Sequence, residues 1–176
     1  DKWVEYTEHV SVYYNSLANA RKDILKIVDS AKPDVIFING LYSIPYTIYT
    51  LLYKGAGRKI LSVRGMLHPG ALSQKSLKKR LFLTAFKILG LHKNCEFHAT
   101  TNEEVGYIKK EFGIDKKVWM VPNLPNALDY QQPVEKIIGR VDLVSISLIS
   151  PMKNIMLILH ALKGCKSNIT YHIYGP

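Results

Sequence analysis

Residues 35–63 have the sequence VIFINGLYSIPYTIYTLLYKGAGRKILSV, which predicts a β-α-β unit. Its opening residues 35–38 form an unbroken β-branched and aromatic run, which is typical of a strand buried on both faces of a parallel sheet. A helix is predicted from Ser43 to Leu52, because a proline stands near its first position and glycines follow it. The second strand is predicted over residues 59–63.

The alternation of strands and helices continues on both sides of this unit. The further elements predicted up to residue 121 are a helix over 16–31, a long basic helix over 73–91, a strand over 96–99, a helix over 101–112 and a strand over 118–121. Thr101 and Glu104 have the spacing of a capping box, and Gly113 is placed to end the helix that this box begins. The sequence therefore predicts an α/β fold, a Rossmann-like parallel sheet with helices on both faces.

The chain is predicted to extend into a second domain. Residues 1–126 would form most of an amino-terminal Rossmann-like domain, and the polar residues 127–140 would form a linker. A new β-α-β pattern follows, with a strand over 143–147, a helix over 154–162 and a strand over 171–174. Residues 141–176 are too few for an independent core, so we expect them to be the truncated start of a second Rossmann-like domain in a fragment of a longer protein.

The charge of the chain is strongly one-sided. Lysine and arginine number 24 against 14 aspartate and glutamate, which gives a formal net charge of +10. No acidic residue occurs from Val35 to Cys95, whereas that segment contains many lysines and arginines. Such a field favours an anionic partner, such as a phosphate ester, a nucleic acid or an acidic membrane surface. The alternative is a solvated basic face without a partner.

Several protein classes are not indicated. The chain has only two cysteines, Cys95 and Cys165, which fit neither a disulfide framework nor a zinc site, and both are expected to be buried or half-buried. No apolar run approaches the roughly 18 residues of a membrane span, so we expect a cytoplasmic protein. The glycine fingerprint of dinucleotide-binding domains, the P-loop and the nucleophile elbow of α/β-hydrolases do not occur. No metal site and no cofactor are predicted.

Ligands of open α/β sheets bind beyond the carboxyl ends of the strands. The polar and glycine residues that follow the predicted strands are Asn39, Arg64, Gly65, His68, Thr101, Glu103 and Asn123. We expect these residues to line a cleft. For the segment 64–70, a simple turn with an incidental basic residue is an equally good interpretation.

Lys153 and Asn154 lie between a predicted strand and a predicted helix. Free N–H groups at a helix start, together with a lysine ammonium, can hold a diphosphate. A lysine is slightly unfavourable at this end of the helix dipole, so its presence there indicates an anionic ligand.

The predicted basic helix over 73–91 carries two sets of residues. Its apolar set is Leu77, Leu81, Phe82, Ala85, Phe86 and Leu89, and its basic set is Lys75, Lys78, Lys79, Arg80, Lys87 and Lys93. We expect the apolar face to pack on the sheet and the bases to be solvated. A basic amphipathic helix can also lie at a membrane interface.

Four groups of residues, in order along the chain, resemble motifs of the group 1 (family 4) glycosyltransferases. They are residues 63–69 with 71–72 and 78–81, residues 98–104, residues 121–123, and residues 147–154 with 173–176. The resemblance implies two Rossmann-like domains of the B-type fold that face each other across a cleft. It also implies a retaining, metal-independent sugar transfer, in which the first domain takes the acceptor and the second binds a nucleotide-sugar.

The resemblance assigns roles to individual positions. Lys153 and Asn154 would bind the donor diphosphate, and the predicted cleft residues would lie on the acceptor side. Leu148 stands where the family usually has an arginine, and Asn154 stands where it usually has a glycine. The paired glutamates of the family would lie beyond Pro176, so no catalytic residue is assigned and the fragment alone is expected to be inactive.

The expected function is therefore a hexosyltransferase-type step in polysaccharide or lipopolysaccharide biosynthesis. The partners would be a nucleotide-sugar, a glycan or lipid-linked acceptor and an anionic membrane surface at the inner face of a membrane. Two alternatives are a basic nucleic-acid-binding module and a peripheral membrane-binding module without catalysis. The sequence contains no RNP-like, helix-turn-helix or zinc-finger pattern, and a nucleic-acid partner is not expected.

Overall fold

The chain folds into two compact units, Asp1–Leu124 and Pro125–Pro176. The computed structural model describes residues 2–16, 18–55, 57–124, 132–133 and 135–176. Part of the predicted linker, residues 127–131 and 134, lies outside the described residues, and the predicted bounds of the two domains remain a prediction. Among the helices of the described ranges, none is both long enough and apolar enough to cross a membrane.

The first unit alternates strands and helices after an initial hairpin. Its elements are β1 (Lys2–Thr7), β2 (Val10–Tyr14), α1 (Ala20–Ala31), β3 (Val35–Asn39), a π-helical turn (Ile44–Ile48) continued by α2 (Tyr49–Leu52), β4 (Arg58–Ser62), α3 (Pro69–Ser73), α4 (Ser76–Ile88), a 3-10 turn (Leu91–Lys93), β5 (Glu96–Ala99), α5 (Asn102–Phe112) and β6 (Val118–Met120). The antiparallel hairpin of β1 and β2 was not predicted from the sequence.

The central sheet has the strand order β3-β4-β5-β6, and all of its pairs are parallel. Each strand thus lies beside the next one along the chain, and the connections contain helices. This confirms the α/β class and a parallel sheet flanked by helices, an arrangement compatible with a Rossmann-like fold.

The core of the first unit lies against one face of the sheet. Leu61 and Phe97, neighbours in register, are fully buried and belong to one cluster with Phe86 and Ile108 of the helices. On the other face, Phe37 of β3 is 46% exposed. The prediction that this first strand is buried on both faces is therefore wrong. Right-handed crossovers between successive neighbouring strands place their helices on the same face, which explains the difference. Helices on both faces remain a prediction.

The long basic helix predicted over 73–91 is present as α4 but is shorter than predicted, because it begins at Ser76 and ends at Ile88. The chain breaks between α3 and α4 at Gln74 and Lys75, and Lys75 has a left-handed φ of 50° that no continuous helix contains. The predicted apolar face of this helix is only partly correct. Phe86 is buried and Phe82 is half-buried, but the other members, Leu77, Leu81, Ala85 and Leu89, are exposed.

The second unit is a β-α-β arrangement. It contains β7 (Arg140–Ile146), a 3-10 turn (Pro151–Lys153), α6 (Ile155–Leu162) and β8 (Asn168–Tyr174). The two strands are parallel, as the sequence predicts, and the Ser145 and Tyr171 hydroxyls form a hydrogen bond of 2.7 Å between them. None of the described residues of this unit is buried, since two strands and one helix form no enclosed layer. That this unit begins a second Rossmann-like domain remains a prediction.

Candidate functional site at the carboxyl edge of the sheet

Arg64 lies in the turn that follows β4. Its φ is 48° and that of Gly65 is 71°, so two successive residues are left-handed. Glycine takes this conformation without strain, whereas a residue with a side chain loses roughly 1–2 kcal/mol. The strained backbone at Arg64 turns the chain sharply away from the strand end.

The Arg64 guanidinium connects the ends of three strands. Its Nε donates to Asn39 Oδ1 at the end of β3 over 3.0 Å, and its Nη1 donates to Asn123 Oδ1 after β6 over 2.5 Å. Both acceptors are neutral amides, and all three side chains are exposed. Among the described residues Arg64 forms no ion pair, so its guanidinium is not neutralised by a direct acidic partner.

Glu104, in the first turn of α5, binds the loop that contains Arg64 and Gly65. Its side chain is buried, and the carboxylate accepts hydrogen bonds from the Gly65 N–H, from the Thr100 N–H over 2.6 Å and from the Thr100 hydroxyl over 3.0 Å. One half of the predicted capping box is confirmed, since Thr101 Oγ1 accepts from the Glu104 N–H over 3.2 Å. The other half differs, because the carboxylate bonds to Thr100 and Gly65 rather than to the Thr101 N–H.

His98 fixes the segment that carries Asn123. The Val121 carbonyl can only accept, so His98 Nε2 donates to it over 3.1 Å, and in the neutral imidazole Nδ1 then accepts from the Ser62 hydroxyl over 2.8 Å. Both Ser62 and His98 are buried. This histidine is therefore packed and hydrogen-bonded, and it connects β4, β5 and the segment after β6.

The predicted cleft residues are not all brought together. Arg64 joins Asn39 and Asn123 directly, and Gly65 belongs to the same loop. His68 instead caps α3, where its Nδ1 accepts from the Gly70 N–H over 3.1 Å.

The remaining predicted residues lie at the start of α5. Thr101 is its N-cap, and Glu103 is exposed in its first turn. In the described ranges neither has a hydrogen bond to Arg64. Their roles in a cleft remain a prediction.

In the second unit, Lys153 closes the 3-10 turn that precedes α6. Its side chain is exposed, and Asn154 follows with a left-handed φ of 45°, so that α6 begins at Ile155. The first N–H groups of a helix have no intrahelical acceptor, and Lys153 stands two residues before the first residue of α6. The arrangement can bind an anion, and a role in diphosphate binding remains a prediction.

An ion-pair cluster occupies the opposite, amino edge of the sheet. Glu96 at the start of β5 accepts from Trp119 Nε1 over 2.5 Å, from Arg58 over 2.8 Å and from Lys117 over 3.1 Å. The hydrogen bond from the indole, followed by those from the guanidinium and the ammonium, lowers the pKa of Glu96 to about 2. This cluster was not predicted, because its members approach only when the three strands pair.

The two cysteines differ in environment. Burial raises the pKa of the Cys95 thiol to about 12, and this residue is half-buried as expected. Cys165 is exposed, so the expectation that both are buried or half-buried is wrong for it. It lies just after α6, in the unit that has no enclosed layer.

Among the described residues, no three His, Cys, Asp or Glu side chains lie close enough together to hold a metal ion. Sequence reasoning missed Glu104 as a residue that positions the Arg64 loop. The capping-box spacing drew attention to Glu104, but local spacing carries no information about its bond to Gly65. No protein-family model and no curated protein matches the chain.

Proposed function

We propose that this chain is part of a glycosyltransferase that moves a sugar from a nucleotide-sugar to a glycan or lipid-linked acceptor in polysaccharide or lipopolysaccharide biosynthesis. The observation that carries the proposal is the exposed Arg64 guanidinium, held by two neutral amides at the carboxyl edge of a parallel sheet. That edge is where ligands of α/β sheets bind. The resemblance of the ordered sequence motifs to those of glycosyltransferases supports the same proposal.

In the proposed reaction, the bond from the anomeric carbon to the diphosphate breaks and a bond to an acceptor oxygen forms. The acceptor hydroxyl loses its proton, and negative charge develops on the leaving diphosphate. A fixed guanidinium is suited to binding acceptor oxygens, because it is planar, always charged and presents several donors. Arg64 would bind the acceptor side, and Lys153 with the first N–H groups of α6 would bind the donor diphosphate.

The test is sugar transfer by the full-length protein that contains this chain, from a panel of radiolabelled nucleotide-sugars, with purified lipid-linked and glycan acceptors. Arg64→Ala should lower turnover by a factor on the order of 100, since it removes one fixed charge at the reacting centre. Arg64→Lys should recover part of this loss. The matched control is Arg58→Ala, at the opposite end of the same strand, which should leave turnover near that of the wild type.

Two results would contradict the proposal. One is a folded full-length protein, containing this chain, that transfers no sugar from any donor in the panel. The other is an equal effect of Arg64→Ala and Arg58→Ala on turnover, which would make Arg64 a purely structural turn residue. Titration with nucleoside diphosphates in a calorimeter tests the donor part separately. There Lys153→Ala should weaken binding with little change in the melting temperature, because its side chain is exposed.

A further inference from the structure

Helix α4 carries a second apolar stripe that does not face the core. Leu77, Leu81 and Ile88 are 71%, 63% and 79% exposed. At 100° per residue they lie within about 40° of one another on the helix surface. We call these three residues the outer stripe. It lies on the side of α4 opposite to the buried Leu83 and Phe86.

Bases flank the outer stripe on both sides. By the helical rotation of 100° per residue, Lys78 lies on one side, and Arg80 and Lys87 lie on the other. Lys87 is paired with Glu111 over 2.7 Å, whereas Lys78 and Arg80 have no acidic partner among the described residues. Exposed leucines between unpaired bases are the pattern of a helix that lies in a membrane interface.

An open cavity of about 520 Å³ adjoins the basic flank. Its lining includes Ser73, Ser76 and Arg80, and Lys87 with Glu111 borders it. Hydroxyls and a guanidinium are donors for a phosphate oxygen. The cavity therefore offers room for a lipid head group next to the outer stripe.

We propose that α4 docks the protein on an anionic phospholipid bilayer, with the outer stripe in the acyl boundary and Arg80 at a head-group phosphate. The positive charge around the outer stripe favours an anionic bilayer over a second copy of the chain. The segment from Val35 to Cys95 contains no acidic residue, and a second copy of this face would bring like charges together. An anionic bilayer matches both the leucines and the bases. This inference does not depend on the proposed sugar transfer, because docking needs no substrate.

The experiment is co-sedimentation of the protein with vesicles of phosphatidylcholine alone, or of phosphatidylcholine with roughly one third phosphatidylglycerol. Binding should require the anionic lipid and should weaken as salt rises above about 0.1 M. The variant Leu77→Gln/Leu81→Gln should bind at least about tenfold more weakly, since two large apolar side chains no longer enter the bilayer. Lys78→Gln/Arg80→Gln should bind roughly 25-fold more weakly, at about fivefold for each base.

Two matched controls distinguish the loss of docking through α4 from the effect of losing any exposed apolar residue or any two exposed bases. Ile114→Gln replaces a residue of comparable exposure, 76%, in the turn after α5. Lys22→Gln/Lys26→Gln removes two exposed bases from α1. Both controls should bind close to the wild type, and all variants should keep the wild-type circular dichroism.

Three outcomes would overturn the proposal. The first is equal binding to vesicles with and without phosphatidylglycerol. The second is a control variant that loses as much binding as the corresponding α4 variant. The third is a protein that sediments as a dimer without vesicles and becomes monomeric in Leu77→Gln/Leu81→Gln, which would assign the outer stripe to a second copy of the chain.

Discussion

Replacement of Glu104 by alanine should destabilise the first unit strongly. The side chain is only 4% exposed, and its carboxylate accepts three hydrogen bonds, from Gly65 and from Thr100. A hydrogen bond to a charged group contributes about 1.5–3 kcal/mol, and an unsatisfied buried donor costs about 1–3 kcal/mol. Gly65 is exposed and water can reach its N–H, so we take the low end of the cost of an unsatisfied donor, about 1 kcal/mol for each of the three donors, and expect a loss of about 3 kcal/mol.

The assay is unfolding by heat and by urea, followed by circular dichroism. A loss of about 3 kcal/mol corresponds to a fall of roughly 6–12 °C in the melting temperature for a chain of this size. Glu104→Gln should be nearly as damaging, because both carboxylate oxygens accept from N–H groups. Whichever way the glutamine amide is oriented, its NH2 group faces one of these donors.

Glu103→Ala is the control, since Glu103 is exposed in the same helical turn and should contribute less than about 1 kcal/mol through the helix dipole. Equal stability of the Glu103 and Glu104 alanine variants would refute the reasoning. It would mean that the Arg64 loop is not held by the buried carboxylate.

Three further predictions concern stability and reactivity. Lys75→Gly should stabilise the protein by about 0.5 kcal/mol, because glycine adopts the left-handed φ of this position without strain. The control Lys78→Gly, inside α4, should destabilise the protein by about 1 kcal/mol. Urea unfolding compares the two variants, and a loss of stability in both would contradict the prediction. The indole, guanidinium and ammonium that donate hydrogen bonds to Glu96 lower its pKa from 4.5 to about 2 in the folded state. The contribution of these hydrogen bonds to stability is therefore present above pH 4.5 and is lost as the pH falls towards 2. Melting curves of wild type and Glu96→Gln should therefore differ at neutral pH and converge on acidification, and a constant difference would exclude this linkage. Finally, Ellman's reagent at about pH 8 should modify the exposed Cys165 rapidly and Cys95 only on unfolding. The reason is that burial raises the pKa of the Cys95 thiol to about 12. Equal modification rates for the two thiols would contradict this prediction.

The alternation of elements could be predicted from the sequence, because it depends on local physical chemistry. The strand over 96–99 was predicted with the bounds that the structure has, since a short apolar run between turn residues has few alternatives. The N-cap of α5 at Thr101 was equally predictable, because it is a contact between residues three positions apart. The absence of acidic residues from Val35 to Cys95 is likewise a property of the sequence alone.

The exposed face of α4 could not be predicted in this way. Leu77, Leu81 and Ile88 have a helical spacing, and so have Phe82 and Phe86 on another side of the same helix. Periodicity shows that a helix has apolar faces, but it does not determine which of two faces meets the sheet. That choice is made in the tertiary structure, where Leu83 and Phe86 of α4 join the buried cluster of the first unit.

The contacts of the candidate site depend on the fold in the same way. Arg64 meets amide oxygens 25 residues before it and 59 residues after it, and Gly65 bonds to a carboxylate 39 residues away. The sequence placed Asn39, Arg64 and Asn123 after strands and thereby at one edge of a parallel sheet. Only the pairing order β3-β4-β5-β6 brings these particular side chains within hydrogen-bond distance, because strand order is set by long-range packing and not by local propensity.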